Sequence, residues 1–117
     1  MNTDDFEGEA RHSAAEWAFV QLVETVDKTD HAIKLRLHIN PECFVQIYAN
    51  VQKELYSYTL VLNRSRLYGR DCDGKSWHRH PYDDPESHDK SLEGRKAVTL
   101  EQFLAEVQQI LQAEGLL

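Results

Sequence analysis

The alternation of apolar and polar residues in 33–39 most constrains how this chain can fold. The segment reads, in order, Ile33, Lys34, Leu35, Arg36, Leu37, His38, Ile39. Successive side chains of a strand point to opposite faces, so this pattern predicts a strand with one buried face and one solvent-exposed face. Such a strand needs neighbouring strands and a cover for its apolar face. A sheet is therefore the expected centre of the fold.

Three more strand-like segments follow this one. Asn40-Pro41-Glu42 predicts a turn, because proline fixes φ and has no N–H to donate to a neighbouring strand. Alternation returns in 44–51, and the aromatic and β-branched residues of 55–62 predict a third strand. Residues 66–71 predict a fourth. The short connections between these segments favour an antiparallel meander.

Two helices are expected to flank the strands. Ser13-Ala14-Ala15-Glu16 has the form of a capping box, and apolar residues continue at helical spacing to Val26, so a helix is predicted over 13–26. Residues 1–11 are expected to be flexible. A second capping box at Thr99 opens an amphipathic helix that ends near Gly115.

The predicted architecture is a single α+β domain over residues 1–117. It consists of an antiparallel sheet of about four strands, with the N- and C-terminal helices packed on one face. Residues 72–96 are expected to form a long His-rich loop, because their proline, glycine and charge content disfavours regular structure.

Composition limits the class of protein. A chain of 117 residues suits one domain, and two cysteines do not make a disulfide framework, so a reducing, cytoplasmic location is expected. No apolar run is long enough to span a membrane, and no membrane partner is expected. The net charge is −7, yet residues 32–80 hold eight Lys/Arg and only four Asp/Glu. This asymmetry indicates a surface that faces anions or nucleic acid, or basic strands that pair with acidic helices.

The segment 70–89 holds three of the six histidines, next to arginines. Metal-independent cleavage of RNA needs a base for the 2′-hydroxyl, an acid for the leaving oxygen and a cation for the phosphorane. Histidines exchange protons near neutral pH, and a tyrosine can position or donate. The catalytic candidates are His78, His80, Arg70, Arg79 and Tyr58.

Two other interpretations of the histidines stay open. Zinc favours thiolate and imidazole ligands, but Cys-x5-His-x-His-x7-His matches no standard spacing, so the metal interpretation is weaker and no cofactor is expected. The weak metal candidates are Cys72, His78, His80 and His88. The segment could also be a polar surface loop whose histidines contact its own aspartates.

The exposed face of the predicted sheet offers groups that could bind a substrate. Basic side chains can contact phosphates, and aromatic rings can stack on bases. The substrate-binding candidates are Lys34, Arg36, His38, Tyr56 and Arg66. Strand tyrosines also commonly pack against β-branched neighbours, which is the alternative for Tyr56.

A series of motifs runs through the second half of the chain. Tyr56-Ser57-Tyr58 is followed by Leu67-Tyr68-Gly69-Arg70-Asp71, by His78-Arg79-His80-Pro81 and by a short helix. Over about residues 32–110 this order resembles the TumE family, small proteins regarded as toxins of prokaryotic toxin–antitoxin pairs. The resemblance maps the family's strand end and clustered histidines onto Arg70, Asp71, His78, His80 and His88. Here Arg70 and Asp71 are adjacent, where the family favours an intervening aromatic, and Arg79 separates two histidines.

The resemblance implies a cytoplasmic prokaryotic protein with a small antitoxin protein as its partner. We therefore expect a toxin-like component that acts on RNA, and self-association of the chain is also open. The alternatives are a non-catalytic interaction module that docks a partner on its sheet face or edge, or a small metal-binding domain.

Overall fold

A computed structural model describes all 117 residues. The elements in chain order are α1 (Thr3–Ala15), β1 (Leu22–Lys28), β2 (Ala32–Asn40), β3 (Cys43–Asn50), β4 (Leu55–Leu62), β5 (Ser65–Asp73), β6 (Trp77–His80) and α2 (Leu100–Ala113). The strands form one antiparallel sheet in sequence order. The α+β class and the antiparallel meander are confirmed, but the sheet has six strands rather than about four.

Both helices lie on the same face of the sheet, as predicted. We call this the helix-covered face and the opposite one the open face. Phe6 of α1 stacks on Tyr56 of β4, and Phe103 of α2 packs against Tyr58 and Tyr68. The fully buried sheet residues beneath the helices are Leu35, Leu37, Cys43, Val45, Ile47, Ala49 and Leu60. The single core therefore lies between the helices and the sheet.

The N-terminal segment differs from the prediction. Residues 1–11, expected to be flexible, contribute most of α1 (Thr3–Ala15), which begins where the Asn2 side chain accepts a hydrogen bond of 2.7 Å from the Asp5 amide. The predicted helix over 13–26 is wrong, since Ser13 lies in the last turn of α1 rather than at a helix start. Asn2 caps the first turn of α1, and Phe6 in the next turn is buried against Tyr56 of the sheet.

The second half of that predicted helix is the strand β1 (Leu22–Lys28). Its β-branched residues Val23, Thr25 and Val26 suit extended backbone, and β1 pairs antiparallel with β2 along most of its length. Pairing with a neighbouring strand satisfies the backbone groups of β2 on that side. This long-range gain overrides the local helical spacing of the apolar residues.

The C-terminal helix is confirmed in place. Thr99 caps α2 and exchanges both capping-box hydrogen bonds with Gln102. Gly115 follows the helix with a φ of +72°, a conformation that glycine adopts without strain. Neither helix of this protein has the length and apolar character needed to cross a membrane.

Part of the predicted loop 72–96 is regular structure. β5 extends to Asp73, and a turn through Gly74, whose φ is +104°, leads into β6. The chain then returns along β6, where Arg79 and Asp89 exchange two backbone hydrogen bonds of 3.2 and 2.8 Å. This return places His88 beside the last strand of the sheet.

Candidate functional site

A bulge in β5 decides which of its side chains reach the open face. Tyr68 and Arg66 pair with consecutive residues of β4, so Leu67 between them is an extra residue. One extra residue reverses the alternation of faces along a strand. Arg66 therefore lies on the open face, whereas Tyr68 and Arg70 lie on the helix-covered face.

Strand pairing aligns the open-face residues in rows that cross the sheet from β1 to the last strands. The first row is Glu24, Arg36, Gln46, Thr59, Gly69 and His80. The second is Asp27, Lys34, Tyr48, Ser57, Asp71 and His78. The third is Leu22, His38, Phe44, Val61 and Arg66. Cations on β2 thus share rows with histidines on β6, four strand spacings or about 19 Å away.

Three histidines meet at the β6 end of these rows. His78 and His80 come from β6, and His88 comes from the returning segment. Their ring centroids are 5.1, 4.9 and 4.8 Å apart, and His78 and His88 are stacked with an interplanar angle of 10°. One ring nitrogen of each lies within 4.8 Å of the others. His80 is buried and His88 is exposed, so the cluster opens to solvent on one side.

The carboxylate of Asp71 lies between two of the rings. Its Oδ2 is 3.2 Å from Nε2 of His80 and 3.6 Å from Nε2 of His78. The Ser57 hydroxyl donates a hydrogen bond of 2.7 Å to Oδ1, which holds the carboxylate in place. The cluster therefore contains a shared anion with a fixed orientation.

The other nitrogen of His80 faces two competing partners. Nδ1 is 2.9 Å from the carbonyl oxygen of Pro85 and 2.8 Å from Nη1 of Arg66. The carbonyl oxygen can only accept, so it requires a proton on Nδ1. The guanidinium can only donate, so it requires a lone pair on Nδ1. With Arg66 as partner, Nε2–H donates to Asp71; with Pro85 as partner, the neutral ring has a free lone pair on Nε2. The surroundings of His80 therefore accommodate two tautomers of the neutral ring.

His78 is biased toward its neutral form. Burial lowers the pKa of this imidazole, and the neighbouring His80 and His88 lower it further, while the carboxylate of Asp71 acts in the opposite direction. The net effect is a pKa below the ordinary value, so His78 presents a nitrogen lone pair at neutral pH.

Arg70 does not join this cluster. Its side chain is 0% exposed, and the guanidinium donates to both carboxylate oxygens of Glu106 on α2, at 3.2 and 2.6 Å. It also donates to the carbonyl oxygen of Glu93 at 2.8 Å. Arg70 was expected to act together with the histidines, but it lies on the helix-covered face, where its donors hold α2 and the preceding segment against the sheet.

The two tyrosines of β4 lie on the helix-covered face, where Tyr58 is buried in the core and Tyr56 is partly buried against it. Tyr58 lies 5.6 Å from Phe103, ring centroid to ring centroid, and burial raises its pKa to about 12. Tyr56 stacks on Phe6 of α1. Tyr58 therefore does not lie beside the histidines, and Tyr56 is not on the exposed face. Both side chains instead pack against neighbouring residues, as in the alternative interpretation of the strand tyrosines.

Arg79 and Cys72 also face the helices. Arg79 pairs in register with Arg70, and its Nε donates to Asp89 at 2.9 Å. Cys72 is buried opposite Tyr56 on the helix-covered face. Cys72 is thus separated by the sheet from the three histidines and cannot complete a ligand set with them.

The substrate candidates on β2 lie on the open face, as their alternation predicts. The Arg36 guanidinium lies over the Phe44 ring, 4.7 Å from its centroid, and its Nε donates to Gln46. His38 forms a hydrogen bond of 2.8 Å with Glu24. A cavity of about 700 Å³ opens beside Arg36 and Phe44, lined also by Arg64. This end of the open face combines cationic and aromatic groups.

Sequence reasoning missed several members of the site. It predicted neither the hydrogen bond from Ser57 to Asp71 nor the contact between Arg66 and His80. It also did not identify Gly69 as a neighbour of His80. A Cβ at Gly69 would lie 3.2 Å from the Tyr58 carbonyl oxygen and 3.8 Å from His80 Cβ. Alternation within β5 does separate Asp71 from Arg70, but only the bulge shows which face each takes.

No protein-family model, curated protein or solved structure matches this chain.

Proposed function

We propose that this chain is a toxin-like protein that acts on RNA at the open face of its sheet. The observation that carries the proposal is the convergence of His78, His80 and His88 around Asp71, at the end of rows that also carry Lys34 and Arg36. The toxin-like role itself follows from the resemblance to the TumE family.

The chemistry would be acid–base catalysis without a metal. One imidazole of the pair His78 and His80 accepts the proton of a 2′-hydroxyl, and the other protonates the leaving oxygen. Asp71 stabilises the imidazolium that forms, and Arg66, within hydrogen-bond distance of His80, supplies positive charge for the phosphorane. In this assignment Arg66 takes the role first expected of the arginines on the other face.

The substrate would lie across the strands. Single-stranded RNA is commonly bound by a cationic surface with aromatic rings on which bases stack. Arg36 on β2 and Phe44 on β3 offer such a pair, four and three strand spacings from β6, or about 19 and 14 Å from the histidines. A segment of several nucleotides bound there would present a phosphodiester to the cluster. A small antitoxin protein would act by covering the open face.

The test combines cell growth with cleavage of RNA by the purified chain in the presence of EDTA. We expect His80→Gln to reduce cleavage by about 100-fold or more, the usual contribution of one acid–base group, and to relieve growth arrest. His78→Gln should behave in the same way. The matched control is His31→Gln, an exposed histidine in the β1–β2 turn, which should be indistinguishable from wild type.

Two results would count against the proposal in different ways. Full cleavage by His78→Gln and His80→Gln would remove the cluster from the mechanism. Cleavage that EDTA abolishes would replace metal-independent chemistry with a metal-dependent reaction. Circular dichroism of each variant separates loss of activity from loss of fold.

A second candidate is a non-catalytic interaction module, which the edge strand β1 favours. One side of β1 pairs with β2 and the other side carries no strand, while Leu22 and Val26 are 62% and 40% exposed. An unpaired edge with apolar side chains can add a strand from a partner. Stable complex formation without any RNA turnover, and its loss in Val26→Lys, would favour this function.

A further inference from the structure

We propose that His78, His80 and His88, together with Asp71, bind one divalent transition-metal ion, and that Zn²⁺ suits the site best. The proposal does not rest on the RNA-directed function, because metal binding is measured directly. An ion bound here would occupy the imidazole nitrogens that cleavage requires, so the metal-bound chain would not cleave RNA and the metal-free chain would be the active form. The ligand set differs from the set expected from sequence, since Asp71 takes the place of Cys72.

The nitrogens of the three imidazoles are close enough to meet at one ion if the His88 ring rotates out of its parallel stack with His78. Tetrahedral zinc has Zn–N bonds of about 2.0–2.1 Å, which places the ligand nitrogens about 3.3 Å apart. The three nitrogens already lie within 4.8 Å of one another. Contraction around an ion then needs each nitrogen to move by roughly 1 Å or less, within the reach of ring rotation. His88 is exposed and free to make most of that adjustment.

Asp71 is the candidate for a fourth ligand. Its Oδ2 is 3.2 and 3.6 Å from the Nε2 atoms of His80 and His78, so it contacts two of the three rings. Imidazole nitrogens and carboxylate oxygens are both usual zinc ligands. Magnesium and calcium prefer oxygen ligands, so they fit this set poorly.

Groups behind the ligands hold them in orientation. A metal-binding imidazole commonly donates its second N–H to a backbone carbonyl, which directs the other nitrogen to the ion. His80 has that arrangement, with Nδ1 2.9 Å from the Pro85 carbonyl oxygen. The Ser57 hydroxyl holds Asp71 in the same manner. These contacts make His80 and Asp71 the oriented half of the site and His88 the adjustable half.

Arg66 is expected to lower the affinity of the site for a metal ion. Its guanidinium competes with Pro85 for Nδ1 of His80 and favours the state in which Nε2 carries the proton. It is also a cation next to the proposed ion, and like charges repel. Removal of Arg66 should therefore tighten metal binding, a sign that a nonspecific histidine surface would not produce.

The experiment uses the full chain without a polyhistidine tag, stripped with chelator and then titrated with Zn²⁺ by calorimetry. We expect one ion per chain. His88→Ala should weaken binding at least tenfold, and this exposed position should leave the circular dichroism spectrum unchanged. Arg66→Ala should strengthen binding. His31→Ala and Cys72→Ser, outside the cluster, should bind as wild type.

Each outcome decides the proposal. Absence of Zn²⁺ binding by the wild-type chain, or wild-type affinity in His88→Ala, would overturn it. Equal loss in His31→Ala would show that binding is distributed over surface histidines and would overturn it as well. Failure of the metal-free chain to cleave RNA, with intact Zn²⁺ binding, would affect the proposed function alone.

Discussion

Replacement of Arg70 by methionine tests whether this arginine has a structural or a catalytic role. Its side chain is 0% exposed and joins β5 to Glu106 of α2 and to the Glu93 carbonyl. Burial alone would lower the pKa of Arg70, but the hydrogen bonds and charge of Glu106, together with Tyr68, raise it overall, so the group stays charged in the folded protein. Methionine fills similar volume without the donors.

The expected loss in the free energy of unfolding depends on how exposed the Glu106 side chain is. Loss of one member of a buried ion pair destabilises a protein by about 3–5 kcal/mol. The Glu106 side chain is 27% exposed and regains some hydration, so the lower end of the range, about 3 kcal/mol, applies. With a urea m-value of about 1.5 kcal/mol/M, the unfolding midpoint should fall by roughly 2 M.

The assay is equilibrium urea unfolding followed by circular dichroism, alongside RNA cleavage at low temperature, where the variant is folded. Arg70→Met should lose stability and keep cleavage. The matched control Arg95→Met changes an exposed arginine that makes no side-chain hydrogen bond, and should shift stability by less than about 0.5 kcal/mol. Glu106→Leu added to Arg70→Met should cost less than the sum of the two single changes.

Two results would refute this reasoning. A midpoint shift below about 0.5 M would mean that the Arg70 network does not hold α2 on the sheet. Lost cleavage in a variant with unchanged stability would return Arg70 to the catalytic site, in conflict with its place on the helix-covered face.

Gly69→Val should weaken Zn²⁺ binding at least tenfold, because the valine methyl groups would lie beside His80. The free energy of unfolding should change by only about 1 kcal/mol, since valine suits a strand although its Cβ would lie 3.2 Å from a backbone oxygen. Unchanged Zn²⁺ affinity in calorimetry would contradict this prediction. Glu7→Gln should flatten the loss of stability below about pH 5, as followed by urea unfolding at several pH values. Hydrogen bonds from Thr25 and Lys28 lower the pKa of Glu7 in the folded protein, so its contribution is present above the ordinary carboxyl pKa and lost as pH falls through the folded one. An identical pH profile in the variant would contradict that assignment.

Local patterns predict most of the strands and the last helix. The alternation from Ile33 to Ile39 is strict, and the capping box at Thr99 marks the start of α2 to the residue. Both signals depend on residues a few positions apart, which is the range over which backbone geometry directly sets the direction of a side chain. The α+β class follows from them.

The N-terminal elements could not be predicted in this way. Residues 13–26 have helical spacing, yet Leu22–Lys28 is a strand, because β2 offers it a long antiparallel partner. The same limit applies to the candidate site. The spacing of His78 and His80 in the sequence places them on one face of a strand. The groups around them come from residues distant in the sequence, such as Ser57 and Arg66, which local patterns do not reveal.

The sequence alone determined that the chain builds an antiparallel sheet covered by helices, with basic residues on one strand face and a cluster of histidines after it. The tertiary structure decided which face each chemical group occupies. The extra residue Leu67 turns Arg66 toward the histidines and Arg70 away from them, and the return of the chain along β6 brings in His88. The physical reason is that faces and neighbours depend on pairing between strands, which periodicity within one segment does not encode.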